Sequence, residues 1–220
     1  MVIKLMDSSS PHAAAAAADD SFTSLRTVDL AGPAAYKLLT GVVVPRPIAW
    51  ISTRSTSGTV NVAPFSSFNY VADTPPMLAV NIGLHDDGCM KDTARNIRET
   101  GEFVVNVTTR EALQTMNASS ARYPADASEA EQLDIALVPG QEVGAPRVAL
   151  SPVQMECRLS HIVPLGKGGN TLYIGEVVVF HLANRVYDGR HVDSVAIDPV
   201  ARLGGPFYAA LGEIFKLKRP

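Results

Sequence analysis

The sequence predicts a mostly β fold in which many strands close into a barrel and a few short helices decorate it. Apolar, β-branched stretches recur along the chain and are separated by Gly, Pro, Ser and Asn turn signals. The helical stretches are short and do not alternate with the strands, which argues against a doubly wound parallel sheet. The length of 220 residues suits one domain whose core needs no disulfide or metal for stability.

The strand and helix signals follow one another along the chain. Six apolar or β-branched segments are predicted as strands, at residues 41–53, 59–71, 75–83, 102–109, 147–166 and 171–186. Short helices are predicted at residues 30–39, 91–101, 110–120 and 127–135. In the helix at 91–101, Asp92 or Thr93 is the candidate N-cap, and Gly101 suits the position after the last turn. Pro64 predicts a bulge or a sheet edge, and the tract GKGGN predicts a hairpin loop.

Composition and charge narrow the possible classes of function. The net charge of −3 at pH 7 argues against a nucleic-acid partner, and no stretch of 18 apolar residues predicts a membrane span. Residues 1–21 are rich in alanine and lack the apolar core of a secretory signal, so we expect a flexible extension outside a single domain at residues 22–220. Cys89 and Cys157 lie outside any metal-binding motif and are expected to be free thiols in a cytoplasmic protein.

Common catalytic and metal-binding fingerprints are missing from the sequence. There is no GxGxxG after a strand, no GxxxxGK[ST] loop, no HExxH and no GxSxG elbow. The five histidines are scattered, and no carboxylate or cysteine falls at ligand spacing beside His181 or His191. No metal site and no catalytic acid/base pair are therefore predicted.

The hairpin at residues 44–71 is the first candidate for binding a phosphorylated ligand. Ser52, Thr53, Ser66 and Ser67 supply hydroxyl groups, and a strand irregularity near Pro64 frees backbone N–H groups. Hydroxyls and free amides together can hold an anion. The alternative is an ordinary exposed hairpin, since Ser and Thr also favour turns.

The predicted helix start near Lys91 is the second candidate. A helix N-terminus favours negative charge, and a lysine beside it strengthens the attraction, so Lys91 and Thr93 are candidate phosphate contacts. In the alternative interpretation Asp92 caps its own helix, while Lys91, Arg95 and Arg98 are solvated surface residues.

Six segments in this order resemble the flavin reductase-like family of FMN-binding split barrels: PRPIAWIST, NVAPFSSFN, PPMLAVNIG, KDTARNIRETGEFVVNV, YIGEVV and DPVARLGGPFYA. The resemblance extends over about residues 42–209, and its specificity comes from the order and spacing of the segments. It implies an antiparallel, Greek-key split β-barrel that forms a homodimer and binds FMN in a groove near the subunit interface.

The resemblance also implies which residues contact the cofactor. The residues that match the family's flavin-binding segments are Ser52, Thr53, Ala63, Pro64, Phe65, Ser66, Ser67, Lys91 and Thr93. Arg46 matches the arginine of the PRP segment, which lies near the cofactor or at the dimer contact. Arg202, Gly204, Gly205 and Tyr208 match a segment that closes over the site in many members.

The activity implied by the resemblance is an NAD(P)H-dependent flavin oxidoreductase. Hydride passes from the nicotinamide of NADH or NADPH, a transient co-substrate, to N5 of FMN, so the protein needs no acid/base pair. The reduced flavin then serves a small-molecule substrate, a flavin acceptor or a partner monooxygenase. We expect Tyr208 or Phe207 to cover the open flavin face or to pack at an interface, and we expect residues 117–144 to set substrate choice.

Two alternatives share the same groove. One is an FMN-binding electron carrier or redox sensor that has no nicotinamide oxidase activity. The other is a different enzyme class that acts on a small substrate held over the flavin. The sequence leaves all three open.

Overall fold

The computed structural model describes residues 21–124 and 126–218. Nearly all of the predicted extension at residues 1–21 lies outside the described residues, so its flexibility and the domain boundary stay predictions. The described part contains five α-helices and twelve strands.

The helices are α1 (Gly32–Val42), α2 (Asp92–Thr100), α3 (Leu113–Ala118), α4 (Glu129–Gln132) and α5 (Ser194–Ile197), preceded by a 3-10 turn at Thr27–Asp29. The strands are β1 (Arg46–Pro47), β2 (Ala49–Arg54), β3 (Val60–Phe65), β4 (Phe68–Asp73), β5 (Pro76–Ile82), β6 (Glu102–Val107), β7 (Leu137–Val138), β8 (Arg147–Val148), β9 (Val153–Leu165), β10 (Asn170–Leu182), β11 (Val200–Arg202) and β12 (Tyr208–Ala210). All six predicted strand regions and all four predicted helix regions contain elements of the predicted type.

Seven strands form one antiparallel sheet in the order β3-β2-β6-β9-β10-β5-β4. Its two edge strands, β3 and β4, follow each other in the chain and are separated only by Ser66 and Ser67. The sheet edge predicted at Pro64 is confirmed, since Pro64 lies in the edge strand β3 and pairs with Trp50 of β2, whereas the chain bends two residues later at these serines. One stretch of chain therefore supplies both edges of the sheet, and the mostly β, antiparallel prediction is confirmed.

Strand β2 is buried on both of its faces. Ala49 and Ile51 pack into a cluster with residues of β5, β6, β9, β10 and α2. Trp50, between them, faces a second cluster that contains Met116 of α3 and Ala130 of α4. Because burial on both faces selects a continuous apolar run, the segment reads as a strand from its sequence. The second cluster also brings α3 and α4 close to the neighbouring edge strand β3.

The start of the predicted strand at residues 41–53 is wrong, because α1 continues to Val42. Strand structure begins only at Arg46, where β1 pairs with β11. Nη1 of Arg46 donates hydrogen bonds to the carbonyl oxygens of Thr40 (2.6 Å) and Val43 (2.7 Å). Nη2 donates to the carbonyl oxygen of Leu203 at 3.0 Å. The guanidinium thus satisfies carbonyls at the end of α1, and this tertiary contact overrides the β propensity of the valines.

Helix α2 ends as predicted but begins differently. Gly101 follows the last turn with a left-handed φ of 71°. The prediction of Asp92 or Thr93 as N-cap is wrong, because Lys91 is the N-cap and no side chain caps the first turn. Asp92 instead forms an ion pair with Arg95 one turn later. The N-terminal N–H groups of α2 are thereby left without a side-chain partner.

The buried carboxylate of Glu156 lies outside the six segments that resemble the flavin reductase-like family, and it orders the loop before β8. The Glu156 carboxylate accepts hydrogen bonds from the backbone N–H groups of Gln141, Glu142 and Val143, and it lies 2.6 Å from Nε2 of His181. Burial raises the pKa of Glu156, but these hydrogen bonds outweigh burial and leave its pKa below the ordinary value. His181 therefore has a structural partner.

Within residues 21–124 and 126–218, no group of His, Cys, Asp and Glu is arranged to hold a metal ion. In the same part of the chain, no helix is both long enough and apolar enough to cross a membrane. Both cysteines are free, with Cys89 exposed and Cys157 buried. Burial raises the pKa of the Cys157 thiol far above its ordinary value. The thiol therefore stays protonated and unreactive, and Cys157 serves only to pack the core.

The first testable prediction concerns Gly175, at an irregularity of the β9–β10 pair. A Cβ atom at this position would lie 2.4 Å from Cζ of the buried Phe103. We expect Gly175→Ala to lower the free energy of unfolding by about 1–3 kcal/mol, because a packed core cannot accommodate the methyl group. Denaturant unfolding measures this change. Gly212→Ala is the control, since nothing lies within 4 Å of its Cβ; equal losses in both variants would contradict the packing argument.

Candidate functional site

A groove follows the outer edge of β3 and consists of two adjoining cavities. The larger cavity has a volume of about 500 Å³ and the smaller about 170 Å³. Pro64, Phe65 and Ser120 line both, so the cavities meet at the end of β3. Pro64 is tolerated because β3 is an edge strand, where a missing N–H costs no ladder hydrogen bond.

The larger cavity is lined by positive charge. Lys37, Arg46 and Arg202 contribute to its wall, whereas no Asp or Glu does so among the residues that the structure describes. The Arg46 guanidinium lines the cavity while it donates to the three carbonyls at the end of α1 and at Leu203. Cationic walls of this kind raise the local concentration of an anionic ligand.

The segment around β11 and β12 closes one wall of the larger cavity. Arg202 donates from Nη1 to the Tyr208 hydroxyl and from Nη2 to the carbonyl oxygen of Gly205 at 2.6 Å. Its guanidinium carbon lies 4.6 Å from the centroid of the Tyr208 ring, and the Tyr208 hydroxyl donates to Oδ1 of Asn117 at 2.8 Å. Tyr208 is therefore held in place from two sides. Phe207, beside it, is 66% exposed and is not part of this wall.

The start of α2 forms one wall of the smaller cavity. Lys91 lies at the N-cap with Nζ 5.8 Å from the centroid of the Phe65 ring, and it forms no ion pair within the described part of the chain. Oγ1 of Thr93 accepts a hydrogen bond from Nδ2 of Asn61 at 2.8 Å, which leaves the hydroxyl proton of Thr93 available to an acceptor. The uncapped N–H groups and Lys91 together make this end of the groove attractive to an anion.

Two of the carboxylates near the smaller cavity are neutralised by arginines. Asp92 pairs with Arg95, and Oδ2 of Asp87 lies 2.8 Å from Nη2 of Arg122. The pKa of Asp87 is lowered to about 2. The largest cause is a hydrogen bond from the backbone N–H of Cys89, and the second is the hydrogen bond from Arg122. Neither carboxylate therefore presents an unpaired charge to the groove.

Glu129 lines the smaller cavity together with Asp92, and Glu129 has no cationic partner among the described residues. Its side chain is buried, and Oε2 accepts a hydrogen bond from the backbone N–H of Val62 at 3.0 Å. Val62 belongs to the edge strand β3, so Glu129 satisfies an outward N–H that no further strand covers. Burial raises the pKa of Glu129 above its ordinary value.

Ser52, Thr53 and Ser67 do not line the groove. Ser52 is fully buried, and its Oγ donates to the carbonyl oxygen of Pro146. Thr53 is also fully buried, and its Oγ1 accepts a hydrogen bond from Nδ2 of Asn96 at 3.0 Å. The two hydroxyls therefore join β2 to α2 and to the residue just before β8. Ser67 is exposed at the bend between β3 and β4 and lines neither cavity.

Gly204 lines neither cavity, and Gly205 lines the larger one. The other sequence-predicted site residues all line the groove. They are Arg46, Ala63, Pro64, Phe65, Ser66, Lys91, Thr93, Arg202 and Tyr208. Sequence reasoning missed Asn61, His85, Arg122 and Glu129, which line the smaller cavity. Arg122 and Glu129 fall within residues 117–144, the segment expected to set substrate choice, but no motif marks them individually.

The chain is similar in sequence to several bacterial proteins over most of its length. It is 41% identical over 189 residues to an uncharacterized protein of Halalkalibacterium halodurans, with 84% of this chain and 90% of the relative covered. It is also 41% identical over 191 residues to the uncharacterized protein YwrF of Bacillus subtilis, with 84% of this chain and 93% of the relative covered.

Solved structures share the fold. Component B of nitrilotriacetate monooxygenase from Bacillus cereus has a TM-score of 0.87 at 35% identity, with 90% of this chain and all of that chain covered. The 2-nitrobenzoate 2-nitroreductase NbaA of Pseudomonas fluorescens has a TM-score of 0.82 at 31% identity, with 90% and 96% covered. A Shewanella frigidimarina protein with a split barrel domain has a TM-score of 0.76 at 23% identity, with 88% and 96% covered, which confirms the split-barrel fold.

A family model described as the flavin reductase like domain matches residues 41–196, well over half of the chain. This range contains the edge strand β3, the start of α2 and Glu129, and therefore most of the groove. The resemblance noted from the six sequence segments is thereby confirmed. The chain belongs to the flavin reductase-like domain family, and its function is flavin-related redox chemistry.

Proposed function

We propose that this protein is an FMN-dependent NAD(P)H:flavin oxidoreductase. The observation that carries the proposal is the groove at β3, where an uncapped helix N-terminus with an unpaired lysine lies next to a larger cavity lined by cations. One end of this groove suits a phosphate, and the other leaves room for a ring system. The described residues therefore fit a flavin mononucleotide.

Lys91 and Thr93 would hold the phosphate. The ammonium group of Lys91, the hydroxyl of Thr93 and the first backbone N–H groups of α2 all belong to the smaller cavity and lack an anionic partner among the described residues. Ala63, Pro64 and Ser66 would lie against the ring system, because small side chains on an edge strand let a flat ligand approach the backbone closely. Arg202 and Tyr208 would form the opposite wall.

Bound FMN supplies the hydride-accepting ring, so the chain needs no acid/base pair of its own. Its residues bind and orient the reactants instead. The cationic walls of the larger cavity would attract the anionic nicotinamide dinucleotide. Tyr208 in the wall, with the exposed Phe207 beside it, would cover the ring face when the co-substrate is absent.

The similarity to component B of nitrilotriacetate monooxygenase, at 35% identity, supports a role in supplying reduced flavin to a partner monooxygenase. The similarity to a 2-nitrobenzoate 2-nitroreductase, at 31% identity, supports a second candidate in which a small aromatic substrate is itself reduced over the flavin. Both candidates use the same groove and differ in the electron acceptor.

We also propose that the protein is a homodimer. Helix α1 contains no buried residue, although Tyr36, Leu39 and Val42 are apolar and 62–73% exposed. Tyr36 also lines the larger cavity, so this apolar surface continues into the groove. Exposed contiguous apolar side chains of this kind mark an interaction surface. A second copy packed on α1 would cover these side chains and border the site.

The activity is tested by the visible absorbance spectrum of the purified protein under anaerobic conditions. We expect a yellow protein whose flavin absorbance bleaches on addition of NADH or NADPH, and mass spectrometry of the released cofactor should identify FMN. Bound FMN that bleaches only with dithionite or a protein donor would contradict the reductase proposal and favour the electron carrier or redox sensor.

Reversing the charge at Lys91 tests the phosphate end of the groove. We expect Lys91→Glu to weaken FMN binding by about tenfold or more, because a favourable charge at a helix N-terminus becomes a repulsive one. Fluorescence titration of FMN measures the Kd. Lys167→Glu is the matched control, since Lys167 lies in the exposed β9–β10 hairpin loop. Equal FMN affinity in the two variants would remove Lys91 from the phosphate site.

The dimer proposal is tested by the native mass in solution. We expect light scattering to give the mass of two chains, and we expect the double variant Leu39→Glu, Val42→Glu to give a monomer, because two charges cannot be buried in an apolar contact. Val192→Glu, which changes an exposed valine in a loop after β10, serves as the control and should stay dimeric. A double variant that remains dimeric would place the interface elsewhere.

A further inference from the structure

Glu129 is an unusual wall residue for a cavity that attracts an anion. It is only 5% exposed, and its single hydrogen bond to another residue within the described chain is the one that Oε2 accepts from Val62. Oε1 accepts none from any other described residue. A buried carboxylate without a cation is costly when it is ionised, and protonation removes that cost.

The other groups of this cavity do not neutralise Glu129. The titratable or charged side chains that line the cavity beside it are His85, Lys91, Asp92, Arg122 and Tyr123. Asp92 and Arg122 are engaged in ion pairs with Arg95 and Asp87, and β3 contributes no charged side chain. On its own helix the nearest carboxylate is the exposed Glu131. Lys91, at the start of α2, does not pair with Glu129.

Burial raises the pKa of Glu129, and the neighbouring Asp92 raises it further, although hydrogen bonds from the backbone N–H groups of Glu129 and Val62 oppose the shift. The cavity encloses only about 170 Å³, so a phosphate held by Lys91 and Thr93 lies close to this carboxyl. A like charge at such short range raises a carboxyl pKa again. The carboxyl in the complex therefore holds its proton to a higher pH than it does in the free protein.

We propose that Glu129 takes up a proton when the phosphate of the flavin enters the smaller cavity, and that this proton couples cofactor binding to pH. The proposal rests on the proposed FMN site at Lys91 and Thr93. The protonated carboxyl of Glu129 removes a negative charge from the cavity and can offer an O–H donor to the ligand through Oε1, while Oε2 keeps its contact with Val62.

The sign of the pH dependence follows from linkage. The form of the protein that binds FMN best is the one with Glu129 protonated, so FMN affinity falls as pH rises through the carboxyl's pKa in the free protein. In the window between that pKa and the higher pKa in the complex, the Kd for FMN rises by up to about tenfold per pH unit. Above the second pKa the affinity levels off.

Isothermal titration calorimetry of the full-length apoprotein with FMN, in two buffers of different ionisation enthalpy, counts the protons bound between pH 5.5 and 8.5. We expect the wild-type protein to take up more protons than Glu129→Gln, with a maximum difference close to one. We expect Glu129→Gln to fold normally, because its amide oxygen can still accept the hydrogen bond from Val62. The phosphate of FMN also titrates near the lower end, at about pH 6, but its contribution cancels in this difference.

Two controls isolate the cause. Glu131→Gln removes an exposed carboxylate from the same helix and should leave the wild-type proton count unchanged. Riboflavin, which lacks the phosphate, should bind wild-type protein and Glu129→Gln with the same proton count. Equal proton counts for FMN in wild type and Glu129→Gln would overturn the inference while leaving the FMN site intact. A wild-type protein that binds no flavin would overturn both.

Discussion

The constraint on which the site depends is the bend at Ser66 and Ser67. It sends β3 and β4, which are continuous in the chain, to opposite edges of one seven-stranded sheet. Strand β3 is therefore paired on one side only, with β2, and its other side is open. An uncovered strand edge is a liability unless something occupies it. Here Pro64 removes one N–H and Glu129 accepts another, and the remaining edge becomes the floor of the groove.

The charge distribution around this edge favours an anion because most carboxylates are already paired. Asp87 and Asp92 are held by arginines, whereas Lys91 and the first N–H groups of α2 have no anionic partner in the described chain. Helix α2 is itself positioned by buried amides, since Asn96 donates to Thr53 and Asn61 donates to Thr93. The packing of α2 on β2 and β3 thus places the positive end of a helix at the groove.

The parts of this site that are local could be predicted from the sequence. The strand at residues 59–71 and the helix start at Lys91 each carry a recognisable pattern, and both line the groove. The residue pattern also assigns Ser52 to the ligand, because its hydroxyl resembles those of an anion site. Only the sheet order shows that β2 is internal and buried on both faces. The Ser52 hydroxyl therefore donates to the carbonyl oxygen of Pro146 and is not available to a ligand. Whether a strand is central or at an edge is a non-local property that residue patterns do not carry.

The same limit explains the roles of Arg46 and Glu129. The family resemblance implies a place for Arg46 beside the cofactor or at a dimer contact. The structure shows in addition that its donors join the end of α1 to Leu203, far along the chain. Nothing in the sequence singles out Glu129, because Glu129 and Val62 lie 67 positions apart in the chain and no sequence motif includes Glu129. Residues whose role depends on such long-range contacts become visible only when the fold is known.

The central claim is that FMN lies along the open edge of β3 with its phosphate at the start of α2. A crystal structure of the protein with FMN tests this most directly. We predict phosphate oxygens within hydrogen-bond distance of Nζ of Lys91 and Oγ1 of Thr93, with the ring system against Pro64 and Ser66. A phosphate bound at the opposite, arginine-lined cavity beside Arg202, or away from β3 altogether, would contradict it.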